Sequence, residues 1–197
     1  MGAELLLIRH GETPWNQARR LQGRADIPLT EGARVRLGGL RVPDRFGRAE
    51  WFSSPLVRAT ETARLLGASD PTIEPRLVEM DLGGWEGRTL ADLRDEDPVA
   101  LEANEILGLD MRPPDGESPR DVQSRLLPWL RERAGEGRLS IAVTHKGVIR
   151  AVLAAAYDWD MTVEPPVRLN WRSAHLFGLS ADGRPTPGTL NIALEDR

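Results

Sequence analysis

Residues 5–11 read Leu-Leu-Leu-Ile-Arg-His-Gly, and residues 139–147 read Leu-Ser-Ile-Ala-Val-Thr-His-Lys-Gly. In both stretches a short apolar run ends in a histidine and soon reaches a glycine, which is typical of a buried strand that enters a loop. Ligands of open α/β sheets bind outside the carboxyl ends of the strands. The two stretches therefore predict that His10 and His145 lie at one crevice, where the glycines would let backbone approach a ligand.

Predicted strands and helices alternate outward from these two stretches. Apolar runs predict further strands at residues 50–53, at the start of 72–82, at 174–179 and at 189–194. Helical spacing predicts helices at residues 30–40, 54–66, 118–130 and 147–157, with two short helices in 89–107 separated at Pro98. Such alternation indicates an α/β layered fold with a mainly parallel sheet.

Serine-proline pairs open two of the predicted helices. A serine N-cap followed by proline is the preferred start of a helix, and this pair occurs at positions 54 and 118. Asp121 stands three residues after the second serine, which favours a capping box. Pro128 lies inside the same apolar stripe, so we expect it to kink or shorten that helix.

Composition limits the class of protein. The 197 residues are 40% hydrophobic and 28% charged, which is typical of one soluble globular domain, and we expect a single domain over residues 1–197. The chain has no cysteine, so disulfides and thiolate catalysis are excluded. The net charge of −4 argues against nucleic-acid and anionic-membrane partners.

The sequence also bears on location. The apolar run near residue 5 is too short for a signal peptide, and no apolar stretch approaches the about 20 residues of a membrane span. We therefore expect a cytoplasmic protein. All but one of the 26 basic Lys and Arg residues are arginine, and the exception is Lys146.

Two arginines and one acid could complete a site around the histidines. Arg9 adjoins His10, and Arg58 falls in the first turn of the predicted helix 54–66. A guanidinium presents a rigid fork of donors that matches phosphate oxygens. Glu79 lies among glycines and a tryptophan, where burial would raise its pKa and let it protonate a leaving oxygen.

Several segments together resemble one family. Residues 7–16, with Arg9-His10-Gly11-Glu12 at their centre, look like the signature of the histidine phosphatase superfamily, also called phosphoglycerate mutase-like. Further similar segments follow in the family's order, at residues 21–32, 53–63, 77–87 and 143–145. The resemblance extends from residue 5 to about residue 153 and implies a three-layer α/β/α sandwich. The length and residues 85–87 look more like the short bacterial phosphatases, including α-ribazole phosphatases.

The resemblance implies a role for each matching residue. His10 would be the nucleophile that becomes phosphorylated, and Glu79 would be the general acid and then the base for water. The groups that would surround the phosphoryl group are Arg9, Arg58 and His145. Asn16 and Gln22 match positions that often touch the phosphate. No cofactor is implied, and a metal held by the histidines and a carboxylate is disfavoured because the arginines would repel it.

One position departs from the family pattern. Lys146 stands where the family often has glycine, and it is either a tolerated surface substitution or a positive charge beside the phosphate or a substrate carboxylate. His175 matches no motif and is expected to be structural or exposed. Among the tryptophans, Trp15 and Trp85 either line the pocket or pack, and the ones expected in the core are Trp51, Trp129, Trp159 and Trp171.

The resemblance admits more than one reaction. The first expectation is a phosphatase that hydrolyses small phosphate monoesters through a phosphohistidine. One alternative is phosphoryl transfer of the cofactor-dependent phosphoglycerate mutase type, and another is a non-catalytic protein that binds a phosphorylated ligand. Residues 88–117 are expected to form a variable helical lid, whose many acids would suit a phosphoglycerate poorly. The expected partner is a small phosphorylated substrate, and a monomer and a homodimer both remain open.

Overall fold

The structure, a computed structural model, describes residues 2–197 and contains the predicted alternation of strands and helices. The strands, in chain order from β1 to β8, are Ala3–Arg9, Leu40–Arg41, Glu50–Ser53, Thr72–Ile73, Leu139–Thr144, Ala174–Leu179, Pro185–Thr186 and Glu195–Asp196. The α-helices, from α1 to α7, are Pro14–Gln17, Glu31–Gly38, Val57–Leu65, Leu90–Glu96, Pro98–Glu105, Pro119–Glu136 and Lys146–Tyr157.

The two stretches that end in histidine are neighbouring strands at the centre of the main sheet. This six-stranded sheet has the order β4-β3-β5-β1-β6-β7, and β2 pairs separately with β8. The pairs of β5 with β1 and with β3 are parallel, whereas β6 is antiparallel to β1. Because Arg9 lies opposite Thr144, both strands end at the same edge, where the His10 amide donates to the Thr144 carbonyl at 2.9 Å.

Helices cover both faces of the sheet. Leu5 and Leu7 pack with residues of α6 and α7, and Leu6 and Ile8 pack with residues of α2 and α3. Successive side chains of a strand point to opposite faces, so a strand buried on both faces is apolar at every position. The predicted three-layer α/β/α sandwich with a mainly parallel central sheet is confirmed.

The predicted strand at 189–194 is wrong. Only Ile192 in this stretch forms a bridge, with Ala174, and Asn191 has a φ of 59°, which breaks an extended conformation. The pairing at this end of the sheet comes instead from β7, whose Pro185 and Thr186 pair with the end of β6.

Of the two helix starts predicted from serine-proline pairs, one is confirmed and the other is wrong. Ser118 caps α6 in a capping box with Asp121, as the sequence predicts. The helix predicted from Ser54 instead begins at Val57 with Leu56 as its uncapped N-cap residue. Pro128 does not shorten α6, which continues to Glu136 with Trp129 and its neighbours buried.

Among residues 2–197, no helix has the length and apolar character to span a bilayer.

Candidate active site

His10 follows β1 and has a fixed tautomer. Its Nδ1 lies 2.6 Å from the carbonyl oxygen of Gly11, which can only accept a hydrogen bond. Nδ1 therefore carries the proton, and Nε2 keeps its lone pair. Burial, followed by the charges of Arg9 and Arg58, lowers the pKa of His10 well below 6.5. At neutral pH the ring is consequently a neutral imidazole with one nitrogen available for attack.

His145 lies next to His10. It is the N-cap residue of α7, it is fully buried, and its ring centroid is 5.2 Å from that of His10. Its Nε2 is 2.7 Å from the Ser54 hydroxyl oxygen, while its Nδ1 has no hydrogen-bond partner. Burial also lowers the pKa of this histidine well below 6.5. His145 is thus neutral and has one ring nitrogen left unpaired beside the candidate nucleophile.

Two guanidinium groups flank His10. Arg58, on α3, is fully buried and donates from Nη1 to the Ala25 carbonyl at 2.6 Å and from Nη2 to the Gly23 carbonyl at 2.8 Å. The Nε atoms of Arg58 and Arg9 are buried without a partner. Burial lowers the pKa of both groups, with Glu79 as the largest opposing charge. Donors of this kind are suited to an anionic ligand.

Glu79 is held by two backbone amides. Its Oε1 accepts from the Met80 N–H at 2.8 Å, and its Oε2 accepts from the Gly147 N–H at 3.2 Å. Burial raises the pKa of Glu79, against the lowering effect of these amides and of the two arginines. A Cβ atom at position 147 would lie 2.5 Å from Oε1. This glycine therefore permits the approach of a protein carboxylate, a role that the sequence did not indicate.

Asn16 and Gln22 belong to one hydrogen-bonded group centred on the buried Thr13. The Thr13 hydroxyl donates to Gln22 Oε1 at 2.9 Å, and the Thr13 amide donates to Asn16 Oδ1 at 3.0 Å. The amide oxygens of both side chains are thus engaged as acceptors. Their NH₂ groups remain as donors.

These groups meet at one cavity of about 570 Å³. Of the residues that the sequence selected for the site, those that line it are Arg9, His10, Asn16, Gln22, Arg58, Glu79 and Lys146. His145 is absent from the wall because it is fully buried, although its ring adjoins that of His10. The volume suits a small ligand. Within residues 2–197 no cluster of three or more His, Cys, Asp or Glu side chains is arranged to hold a metal.

Sequence reasoning missed several residues of the site. Ser54 was interpreted as a helix cap, yet its hydroxyl contacts His145. Thr62 accepts from the Gly11 amide at 2.9 Å and so ties α3 to the loop after His10. Arg150 lines the cavity one turn after Lys146. The sequence signal that could have indicated Arg150 is its place in the predicted helix 147–157, four residues after Lys146.

The predictions for the remaining aromatic residues and His175 have mixed outcomes. Trp129 and Trp159 are buried as expected, but Trp51 is only half-buried. Trp171 is also half-buried: it packs against the core, and its ring lies 5.8 Å from the Arg9 guanidinium and 5.6 Å from Lys146 Nζ. Trp85 lines the cavity, Trp15 packs against Gly87, and His175 is buried.

The acids of residues 88–117 do not form a negative wall. Glu105 is the member that lines the cavity, and it is paired with Arg94 at 3.1 Å. Asp92 and Asp97 cap α4 and α5, and Asp110 pairs with Arg120 at 2.7 Å. Most acids of this segment are therefore engaged in ion pairs or helix caps, and the expectation that it suits a phosphoglycerate poorly stays a prediction.

Comparisons with known proteins agree with the geometry. A family model described as histidine phosphatase superfamily (branch 1) matches residues 5–184. The bifunctional protein Rv2228c of Mycobacterium tuberculosis is 34% identical over 196 residues, which are 95% of this chain and 53% of that protein. The chain thus spans about half the length of this relative.

Two further comparisons cover most of both chains. A protein of Enterobacter sp. named probable phosphoglycerate mutase GpmB is 34% identical over 174 residues, which are 84% of this chain and 80% of that protein. The solved structure of mycobacterial glucosyl-3-phosphoglycerate phosphatase Rv2419c with VO3 superimposes with a TM-score of 0.78 at 26% identity. It covers 97% of this chain and 100% of that chain.

Proposed function

The chain belongs to the histidine phosphatase superfamily, and on that premise we propose that it is a phosphatase which hydrolyses small phosphate monoesters through a phosphohistidine on His10. The observation that carries the proposal is the neutral His10 ring with a free Nε2, in the same cavity as Glu79 and two guanidinium groups. Covalent capture on an imidazole divides one difficult displacement into two easier ones.

In the first step, the Nε2 lone pair of His10 attacks phosphorus and the ester P–O bond breaks. The leaving oxygen takes the proton of Glu79, whose raised pKa keeps it protonated at higher pH than an exposed glutamate. Arg9 and Arg58 donate to the equatorial oxygens, where negative charge accumulates in the transition state. His145, which adjoins His10 without lining the cavity, would donate from its unpaired Nδ1 to the phosphoryl group once that group is on His10.

In the second step, water attacks the phosphohistidine. The Glu79 carboxylate now takes a proton from that water, the N–P bond breaks, and its electron pair returns to Nε2. Inorganic phosphate is released, Glu79 is protonated again, and the site is ready for another ester. Asn16 and Gln22 supply further donors near the phosphate, and no cofactor takes part.

Residues 88–117 are proposed as the variable lid that selects the leaving group. Leu90, Glu105, Gly108 and Met111 of this segment line the same cavity as His10. A phosphoglycerate mutase activity is the second candidate, because a relative carries that name. A protein that only binds a phosphorylated ligand is the third.

The test is phosphate release from a panel of esters by the wild type and by His10→Ala. The panel contains p-nitrophenyl phosphate, 3-phosphoglycerate, sugar phosphates, nucleotides and α-ribazole phosphate. We expect release by the wild type, loss of release in His10→Ala, and an acid-labile, base-stable phosphate on the wild-type chain. Conversion of 3-phosphoglycerate to its 2-isomer without net release would indicate a mutase. Binding without labelling or turnover would indicate a non-catalytic binder.

A further inference from the structure

Two cations on α7 line the cavity without a direct ion pair. Lys146 and Arg150 both lie on the wall, and among residues 2–197 neither forms an ion pair within 4.0 Å. The charges of Glu79 and Glu164 act on Lys146 and Arg150 respectively, but only from a longer distance. Each lies against an indole instead, with Lys146 Nζ 5.6 Å from the Trp171 centroid and the Arg150 guanidinium 5.2 Å from that of Trp159. Cation–π contacts of this kind hold a cation in place without neutralising its charge.

The two charges repel each other. Residues four apart are neighbours on a helix surface, and like charges at this spacing destabilise the helix. No carboxylate of α7 relieves the repulsion, because residues 146–157 contain no acid. An anion bound between the two side chains would relieve it.

Neither acid on the cavity wall compensates this charge. Glu79 accepts from two backbone amides and is assigned to proton transfer, and Glu105 is paired with Arg94. The phosphate itself is assigned to Arg9 and Arg58. Lys146 and Arg150 are therefore in excess of what one phosphate monoester needs.

We propose that Lys146 and Arg150 form a subsite for a carboxylate of the substrate, so that the substrate class is small phosphorylated acids. The planar guanidinium fork of Arg150 can pair bidentately with a carboxylate, and Lys146 adds a second positive charge. Lys146 directly follows His145 and Arg150 is one turn farther along, so both cations line the cavity that also holds His10. This assignment rests on the proposed phosphatase activity.

The experiment compares O-phosphoserine with O-phosphoethanolamine, which differ only in the carboxylate. The variants are Lys146→Met, Arg150→Met and the double variant. Arg138→Met is the matched control, since Arg138 is exposed and pairs with Glu50 at the opposite end of β5. We expect the double variant to lower kcat/KM for phosphoserine by about 10- to 100-fold, mainly through KM, and to change that for phosphoethanolamine little.

An equal change for both substrates would overturn the subsite while leaving the phosphatase intact. A loss confined to fructose 1,6-bisphosphate relative to fructose 6-phosphate would assign the subsite to a second phosphate and overturn the carboxylate. If the wild type hydrolyses none of these esters, the proposed function fails on its own. Calorimetric titration with the same two ligands then tests the subsite, which requires tighter binding of phosphoserine that is lost in the double variant.

Discussion

At the scale of single residues, the site depends on hydrogen bonds that fix which atoms are free. The Gly11 carbonyl engages Nδ1 of His10, and the Met80 and Gly147 amides engage both oxygens of Glu79. The sequence predicts which residue types meet here, because the two histidines follow adjacent strands. It does not predict the partners of Ser54 or Thr62, since their contacts come from elements distant in the chain.

Glu79→Gln is expected to slow the hydrolysis of alkyl phosphates much more than that of p-nitrophenyl phosphate. The amide cannot deliver a proton, so hydrolysis of alkyl phosphates should slow by about 10²- to 10⁴-fold. p-Nitrophenyl phosphate, whose leaving group needs no proton, should be affected much less. In the wild type, kcat/KM for alkyl esters should fall as pH rises through the raised pKa of Glu79, and the variant should lack this decline.

Steady-state rates of both ester types across pH provide the check. Glu105→Gln is the matched control, because Glu105 also lines the cavity but is paired with Arg94. Equal losses on alkyl and p-nitrophenyl esters in Glu79→Gln would mean that Glu79 does not serve as the acid.

Gly147→Ala is expected to displace Glu79. The added methyl group would lie 2.5 Å from Glu79 Oε1 and 3.2 Å from Met80 Cβ, so one of them must move. A shift of about 1 Å in a catalytic group can cost about 100-fold in rate, and we expect the loss in kcat rather than in KM. Gly135→Ala, where nothing lies within 4 Å, is the control and should keep full activity. Unchanged kcat in Gly147→Ala would contradict the inference that the close approach of Gly147 positions Glu79.

At the scale of elements, a predicted N-cap is confirmed where its side chain accepts a hydrogen bond from the first turn of its own helix. Ser118 and Thr30 cap their helices as their sequences indicate. Ser54 has the same signal, but its side chain contacts His145 and the helix starts three residues later. A local signal is overridden where a side chain is held by a contact across the sheet edge.

Ser118→Ala is expected to lower the free energy of unfolding by about 1 kcal/mol, since the cap of α6 is lost. Urea unfolding measures the change. Ser124→Ala is the control in the same helix, because the exposed Ser124 hydroxyl only bonds back to the Arg120 carbonyl. That variant should be neutral or slightly stabilising. Equal effects of the two substitutions would show that the cap contributes nothing.

At the scale of the whole molecule, the arrangement of layers is readable from the sequence because the central strands contain continuous apolar runs, at residues 5–8 and 141–143. The burial of titratable side chains is not readable from the sequence. Arg58 and the chain's three histidines are all buried, although residue type alone favours exposure. Arg58 and His10 are buried where several elements close around one cavity, whereas His145 is buried at the start of α7 and His175 within β6.

The protein is expected to lose stability on acidification. Burial lowers the pKa of His175 to about 4 and those of His10 and His145 well below 6.5. Their folded pKa values lie below the unfolded value, so their contribution is complete above pH 6.5 and is lost as pH falls toward the folded values. Each histidine contributes up to about 1.4 kcal/mol per pH unit.

Glu79 opposes this trend, because its raised pKa makes the folded state bind a proton first as the pH falls toward 4.5. Urea unfolding between about pH 7.5 and pH 5 in phosphate-free buffer gives the slope of the unfolding free energy against pH. His175→Gln should reduce this slope by the equivalent of about one bound proton, whatever its effect on the free energy of unfolding at neutral pH. A stability that does not change over this range would contradict the neutral buried histidines.

Lys146 lies on the wall of the cavity and is the one lysine of the sequence. Apart from the α-amino group, amine-directed reagents therefore have a single side chain to modify, and it lies within the site. The extent of its acylation or reductive methylation, read from the peptide that contains Lys146, reports cavity occupancy, because a bound anion should shield that amine. The absence of any other lysine thus makes covalent footprinting of this enzyme a measurement at one side chain.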